Sequence, residues 1–113
     1  MSDIKQRFEA MIERFNKKAE RDEKFRKEIE KIDRVFQIVV TDENTYHCRL
    51  CNAHIERLED GEADKPQIVI TSDSATYIGI MDGEKDPLAE FSKQKLKVKA
   101  SLGDLLLARK FIG

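Results

Sequence analysis

The residues best suited to chemistry are two histidines and two cysteines within eight positions, in the segment His47-Cys48-Arg49-Leu50-Cys51-Asn52-Ala53-His54. Thiolates and imidazoles are the ligands that tetrahedral zinc prefers. The residues before Cys51 alternate like a half-buried strand, which places Cys48 on the face opposite His47 and Cys51. His47 and Cys51 would then lie about 13 Å apart at roughly 3.3 Å per residue. We therefore predict no metal site, a buried apolar role for Cys48, and surface positions for the histidines.

A catalytic centre is not indicated either. Nucleophilic catalysis needs a serine or cysteine beside a histidine that a carboxylate orients, and both histidines belong to the segment just described. Gly79 and Gly83 are isolated, so there is no glycine-rich phosphate loop. The helical acidic residues alternate with Lys and Arg, as solvated faces do. The sequence thus predicts a protein that is not an enzyme and that needs no cofactor.

The length and the charge of the chain further limit the kinds of protein that it can be. The 113 residues fit one domain spanning 1–113. Charged residues make up 38% of the chain, yet the net charge is only -1, which argues against a nucleic-acid partner. No stretch reaches the roughly 20 apolar residues of a transmembrane helix. Two cysteines without a secretion signal predict a cytoplasmic location.

The hydrophobic periodicity predicts the helices and strands that would position any site. Residues 3–33 show apolar residues at three- and four-residue steps, with a weak stretch from Asn16 to Arg21. This pattern predicts two helices with a break, or one kinked helix. Period-two alternation then predicts strands near 35–41, 45–50, 54–59 and 67–71, arranged as an antiparallel meander.

The last third returns to helices around one more strand. Ser72 or Asp73 can cap a helix that ends at Asp82-Gly83, and Asp86-Pro87 is a strong start signal for a short one. Leu96 and Val98 alternate with lysines, which predicts a fifth strand with one wet face. The final helix follows Ser101 and is far more apolar than its neighbours. The order of elements is that of an α+β protein, with the sheet and C-terminal helices in 35–112.

The stretch from Pro66 to Ile112 carries an ordered set of features: Ile68-Val69-Ile70-Thr71-Ser72-Asp73, then Gly83-Glu84-Lys85-Asp86-Pro87, then Ala89 and Phe91, then Lys95-Leu96-Lys97-Val98-Lys99, then an apolar helix from Leu105 to Phe111. This stretch resembles the sterol carrier protein type-two, or sterol-transfer, family. The chain departs from the family at two turns. Lys93-Gln94 stands where a glycine is common before the last strand, and Ala100-Ser101 replaces a common Gly-Asp after it.

The resemblance implies a five-stranded, mainly antiparallel sheet covered on one face by helices. It also implies an apolar tunnel or cavity between sheet and helices, partly closed by the C-terminal helix. Members of the family bind fatty acids, fatty acyl-coenzyme A, phospholipids or sterols, and the implied function is binding and intracellular transfer of such a ligand.

An apolar pocket can hold an acyl chain without specific polar contacts, because each buried methylene contributes about 0.8 kcal/mol. Met81 suits such a pocket because its flexible thioether adapts to uneven shapes. The candidate lining residues share an apolar character and a place on the predicted sheet or C-terminal helices: Phe36, Ile38, Leu50, Tyr77, Ile80, Met81, Phe91, Leu106, Leu107 and Phe111.

Two other interpretations stay open. The same residues can fill an ordinary core, with the apolar final helix serving as an interface in a homodimer or a regulatory subunit. A metal or redox role for Cys48 and Cys51 is the third hypothesis. Bound lipid, oligomeric state and metal content distinguish the three.

Overall fold

The computed structural model describes residues 4–112, with side chains described for residues 4–110. The helices are α1 (Ile4–Arg21), α2 (Glu23–Ile29), α3 (Ser74–Met81), α4 (Pro87–Ser92) and α5 (Leu102–Ile112). The strands are β1 (Arg34–Val40), β2 (Thr45–Cys51), β3 (His54–Ile55), β4 (Glu59–Asp60), β5 (Ile68–Ser72) and β6 (Lys97–Lys99). No helix within the described part of the chain is long and apolar enough to cross a membrane.

The N-terminal segment forms two helices, because Asp22 interrupts the first and starts the second. Its side chain accepts a hydrogen bond from the backbone N–H of Phe25 and so caps α2. The apolar stripe of α1 is buried along its whole length, as the helical period predicts. Its members are Ile4, Phe8, Met11, Ile12, Phe15 and Ala19.

The sheet has the order β3-β2-β1-β5-β6, with β4 also paired to β2. The predicted antiparallel meander is wrong at one point: β5 lies parallel to β1, with Phe36 opposite Ile68. One edge of β1 is already taken by β2, so the chain must cross the sheet to reach the other edge. The crossing is fixed by Gln37, which accepts a hydrogen bond from Ala63 N–H, and by Gln67, which accepts one from Val35 N–H.

The predicted strand near 54–59 is two short strands, which raises the number of strands from the expected five to six. Leu50 pairs with Ile55, whereas His47 pairs with Glu59, so the register shifts by one residue between them. One extra residue on one strand of an antiparallel pair is a β-bulge. The bulge ends the ladder locally and lets Leu58 turn into the core.

One face of the sheet is apolar and lies under the helices. The register places Phe36 beside Cys48 on β2 and beside Ile68 on β5. These three side chains are buried, while the intervening residues on β1 are only half-buried. Helices α1, α3 and α5 pack over this inner face, so any site between sheet and helices must lie there.

The turn after α4 is the place where the family that the sequence resembles commonly has a glycine. In this chain Gln94 occupies the turn. Gln94 has a φ of 64°, the left-handed conformation that glycine adopts without cost. Its N–H donates to Phe91 O, and Lys95 N–H donates to Glu90 O. These two bonds form a Schellman motif that holds the left-handed residue in place. The backbone therefore keeps the geometry of a glycine turn with a glutamine in it.

Gln94→Gly should raise the free energy of unfolding by about 0.5–1 kcal/mol, because it removes the steric cost of a Cβ in the left-handed region. Urea denaturation of both proteins measures the difference. Gln94→Ala is the matched control: alanine also carries a Cβ, so no comparable gain is expected. A Gly variant no more stable than the Ala variant would contradict the assignment.

Candidate functional site

Three of the candidate lining residues lie in the middle of the inner face of the sheet. Phe36 and Ile38 project from β1 and Leu50 from β2, and all three are fully buried. They contact the helices as part of one continuous apolar core. They therefore form the floor beneath the helices.

Tyr77 lies at the centre of the helix–sheet interface. Its ring packs edge-on against Phe8 at 5.2 Å between centroids. Its hydroxyl lies 3.1 Å from the carbonyl oxygens of both Val39 and Ile70, and it can donate its one proton to either. Burial raises the pKa of Tyr77 well above its usual value. The residue thus ties α3 to the parallel pair β1–β5 as a neutral phenol.

An apolar groove of about 210 Å³ lies between α4, β6 and α5. It brings together two candidate residues from different helices, Phe91 and Leu106, both of which remain exposed to solvent. Leu107, on the opposite side of α5, points into the core and is buried. The full lining is Pro87, Leu88, Phe91, Leu96, Val98, Leu105, Leu106, Ala108 and Arg109.

A larger cleft of about 680 Å³ lies on the other side of α5, against α1, α3 and the α3–α4 turn. Two candidate residues, Ile80 and Met81, belong to its apolar part together with Met11, Phe15, Phe25 and Pro87. Charged side chains line the rest of the cleft, two of them acidic, Glu84 and Asp86, and four of them cationic: Arg14, Lys18, Lys85 and Lys110. Pro87 lines both the cleft and the groove, so the two spaces adjoin at the start of α4.

The cations of the cleft differ in how they are held. The ammonium of Lys18 lies 4.6 Å above the ring of Phe25, and that of Lys110 is 2.7 Å from a Glu28 oxygen. The stem of Lys85 lies so close to Gly79 that a Cβ there would come within 2.7 Å of its Cδ. That glycine therefore sets where Lys85 can lie along the wall of the cleft.

The last helix is fastened at both ends by ion pairs. At its start, Nε of Arg34 lies 3.1 and 3.0 Å from the two carboxylate oxygens of Asp104. Ser101, just before the helix, also caps it there, since its Oγ accepts a hydrogen bond from Asp104 N–H at 3.3 Å. Near its end, Lys110 pairs with Glu28 on α2. The side chain of Phe111, another candidate lining residue, lies outside the described residues.

Several residues of the groove and the cleft escaped the sequence analysis. Arg14 and Lys18 belong to the polar side of α1 and have the pattern of an ordinary solvated face. Leu88 stands alone in a short helix, where periodicity carries little information. The alternation of Leu96 and Val98 with lysines did carry a usable signal, because it placed both on the inner face.

The cysteine and histidine segment has the geometry that its alternation predicts. Cys48 is buried on the inner face, and this burial raises the pKa of its thiol to about 12. His47 lies on the outer face, with Nδ1 2.9 Å from Gly61 O, and His54 is exposed. Within the described part of the chain, no three His, Cys, Asp or Glu side chains come close enough to hold a metal ion.

Iodoacetamide at pH 8 should alkylate Cys51 and leave Cys48 unmodified in the native protein. Only the thiolate reacts, and a pKa of about 12 leaves roughly one Cys48 thiol in ten thousand ionised at that pH. Intact-mass spectrometry should show one adduct, and two after urea is added. Cys51→Ser should show none until it is unfolded; fast double labelling of the native protein would contradict the buried placement.

Comparison with known proteins identifies the family and the fold of the chain. The model of the SCP-2 sterol transfer family matches residues 12–113. A crystal structure of sterol carrier protein 2 matches with a TM-score of 0.62 at 19% identity, covering 91% of each chain. The Aedes aegypti sterol carrier protein-2 in complex with palmitate matches with a TM-score of 0.62 at 14% identity, covering 95% of this chain and 94% of that one.

Other matches show how widely the fold is used. A ubiquinone synthesis protein, UbiJ-SCP2, matches with a TM-score of 0.67 at 10% identity, covering 93% of this chain and 89% of that one. The chain spans only 12% of the length of two Pisa1 alkylsulfatase structures that it also matches, one of them from Pseudomonas sp.. No curated protein matches the sequence. The family model covers nearly the whole chain, and the fold has the α+β arrangement of sterol carrier protein 2; the chain belongs to the SCP-2 sterol transfer family.

Proposed function

We propose that the protein binds a single-chain anionic lipid, such as a fatty acid, with its hydrocarbon chain in the apolar groove between α4, β6 and α5. The observation that carries the proposal is the lining of that groove. Eight of its nine residues are apolar, and Phe91 and Leu106 remain exposed at its walls although burial would stabilise them. The palmitate complex of the Aedes aegypti protein supports it by likeness of fold.

The groove alone is too small for a long chain. Its volume of about 210 Å³ lies below the roughly 300–1,000 Å³ of pockets that enclose a drug-sized ligand. We infer that the rest of the chain passes Pro87 at the start of α4, where the groove and the cleft adjoin. This path leads toward Ile80 and Met81 in the cleft, so it uses the candidate lining residues on both sides of the helix.

The cleft supplies the proposed place for the polar end of the lipid. Arg14, Lys18 and Lys85 line it beside an apolar surface, a combination suited to an anionic head attached to a hydrocarbon chain. Asp86, which also lines the cleft, is engaged as the N-cap of α4 through Ala89 N–H. A carboxylate or phosphate near the three cations gains a favourable Coulomb energy that a neutral head does not.

We also propose that the protein holds the lipid without changing it chemically, and that it does so in the cytoplasm. The thiol of Cys48 is protonated and buried, and neither it nor His47 borders the groove or the larger cleft. The match to the alkylsulfatases covers a small part of those enzymes, so it lends no support to catalysis here.

Leu106→Asp and Met81→Asp should each weaken binding of a fluorescent fatty-acid probe by about tenfold or more, or about 1.4 kcal/mol, because each places a charge against the chain. Leu102→Asp is the matched control. It lies on the same helix, is almost fully exposed, and is not part of the groove. Circular dichroism checks that each variant remains folded, and equal probe binding by all three variants would contradict the proposed path.

Arg14→Ser combined with Lys85→Ser should weaken fatty-acid binding about twofold to fivefold per cation and leave binding of the matching fatty alcohol unchanged. This range of weakening corresponds to the interaction free energies of solvent-exposed ion pairs. Competition against the same probe measures both ligands. Lys17→Ser combined with Lys27→Ser, on α1 and α2 and outside the cleft, controls for net charge. Equal losses for acid and alcohol would contradict a head-group role.

A further inference from the structure

The sheet ends at β6, and one edge of this strand is unpaired within the described part of the chain. β6 is last in the strand order and bonds only to β5. At the other end of the sheet, a side chain closes the edge of β3: the amide of Asn16 donates to Ile55 O at 3.0 Å and accepts from Ile55 N–H at 2.8 Å. No described side chain makes such bonds to β6. Its edge therefore presents backbone groups to which another extended chain can bond.

The backbone groups of Val98 point to this open edge. Thr41 N–H donates to Ser72 O, so Ser72 turns its backbone groups toward β1. Because these groups alternate in direction along a strand, the residue before Ser72 turns its own toward β6, where it is opposite Lys97. Lys97 accordingly faces β5. The next residue, Val98, directs its N–H and C=O away from the sheet.

The side chains of β6 make its two faces chemically different. Val98 lines the apolar groove on the inner face, whereas Lys97 and Lys99 are exposed on the outer face. Among the described residues, neither lysine takes part in an ion pair. A chain lying along this edge would meet an apolar surface at one position, and a cation on the opposite face at the positions before and after it.

We propose that β6 binds an extended segment of a partner protein in which acidic and apolar residues alternate, as an added antiparallel strand. The partner residue opposite Val98 exchanges two backbone hydrogen bonds with it and directs an apolar side chain toward the groove. The residues on either side of it direct carboxylates toward Lys97 and Lys99. In strand addition of this kind, main-chain bonds supply affinity and the alternating side chains supply specificity. Antiparallel pairing is the more stable arrangement per residue.

A second copy of β6 fits the same edge less well. Two copies paired antiparallel about Val98 would place Lys97 of each copy opposite Lys99 of the other. Like charges directly opposite each other destabilise a sheet, and lysines on edge strands oppose self-pairing for this reason. The same lysines attract carboxylates, so the charge of the edge favours an acidic partner.

Strand addition goes beyond the proposed lipid binding and does not require it. It uses the backbone of Val98 and two lysines that do not line the groove. Variants of the lysines should therefore leave binding of the fatty-acid probe unchanged. A protein that binds the probe but no peptide would overturn strand addition alone.

The test is fluorescence anisotropy of a labelled, end-blocked heptapeptide in which glutamate and valine alternate, titrated with the full chain. The same composition with the glutamates grouped together should bind about tenfold more weakly or worse, because it lacks the alternation. N-methylation of the valine amides should abolish binding, since these N–H groups face β6. N-methylation of the glutamate amides, which face away, should preserve most of it.

Hydrogen exchange locates the added strand. When the peptide binds, exchange of the Val98 amide should slow, whereas that of Lys97, already directed at β5, should change little. Equal effects of the two N-methylated peptides, or an unchanged exchange rate of Val98 in the complex, would overturn the proposal.

Charge is tested with Lys97→Glu combined with Lys99→Glu. This variant should bind the glutamate–valine peptide about tenfold more weakly or worse, and should instead bind the peptide in which lysine replaces glutamate. Lys24→Glu combined with Lys31→Glu makes the same change of net charge at exposed positions on and after α2, outside the sheet, and should keep most of the binding. Circular dichroism checks that both variants remain folded.

Two outcomes of these measurements would contradict an acidic partner at β6. One is an equal loss of peptide binding for the two pairs of substitutions. The other is a stable dimer in light scattering that Val98→Pro dissociates, because removal of this single N–H would then show that the edge pairs with a second copy of the chain.

Discussion

The parallel pairing of β5 along β1 is the constraint on which the rest of the architecture depends. Because β2 occupies one edge of β1, β5 and then β6 extend the sheet on the other side. The inner face gains Ile68 and Ile70 in register with Phe36 and Ile38, which completes a floor for the helices. The polar crossing segment, pinned to Gln37 and Val35, stabilises this pairing from the outer face.

The order of strands in the sheet also decides which apolar side chains remain exposed to solvent. As β6 is the last strand, α4 and α5 lie at the edge of the sheet, where there is too little surface to cover every apolar side chain of an apolar helix. Leu107 and Ala108 are buried, while Leu102 and Leu106 stay exposed. The helix α5 is therefore held by a narrow buried face together with the Arg34–Asp104 and Lys110–Glu28 pairs.

Electrostatics divides the surroundings of α5 into two environments. On one side, the cleft combines cations with an apolar wall that includes Met81; on the other, the groove is apolar and only its rim is basic. The near-zero net charge conceals this arrangement, because it sums the cations around α5 with acidic residues from the whole chain. Composition argues against a nucleic-acid partner from an overall balance, whereas the local distribution of cations underlies the proposal of an anionic ligand.

How much of the site could be predicted depends on the distance along the chain over which each sequence pattern acts. Caps and periodicities are local, so Asp86 marked the start of one helix, Ser72 and Asp73 were the two candidates for another, and the alternation of β2 placed Cys48 inside. The candidate lining residues were selected as apolar residues on these elements. Whether such a residue belongs to the core, as Phe36 does, or to the groove, as Leu106 does, depends on contacts between elements distant in sequence.

The sequence by itself determined the α+β class, the family, the helix boundaries and the inward face of each main strand, because these follow from residue types at fixed spacings. Only the tertiary structure decided that β5 runs parallel to β1, since strand order depends on which edge is free and not on alternation. It alone brought Arg14 and Lys18 of α1 to the same cleft as Lys85, and decided which leucines of α5 stay exposed. The cysteines and histidines do not converge on one point, because Cys48 lies on the inner face of β2, His47 on its outer face and His54 on β3. The apolar groove lies at the other edge of the sheet.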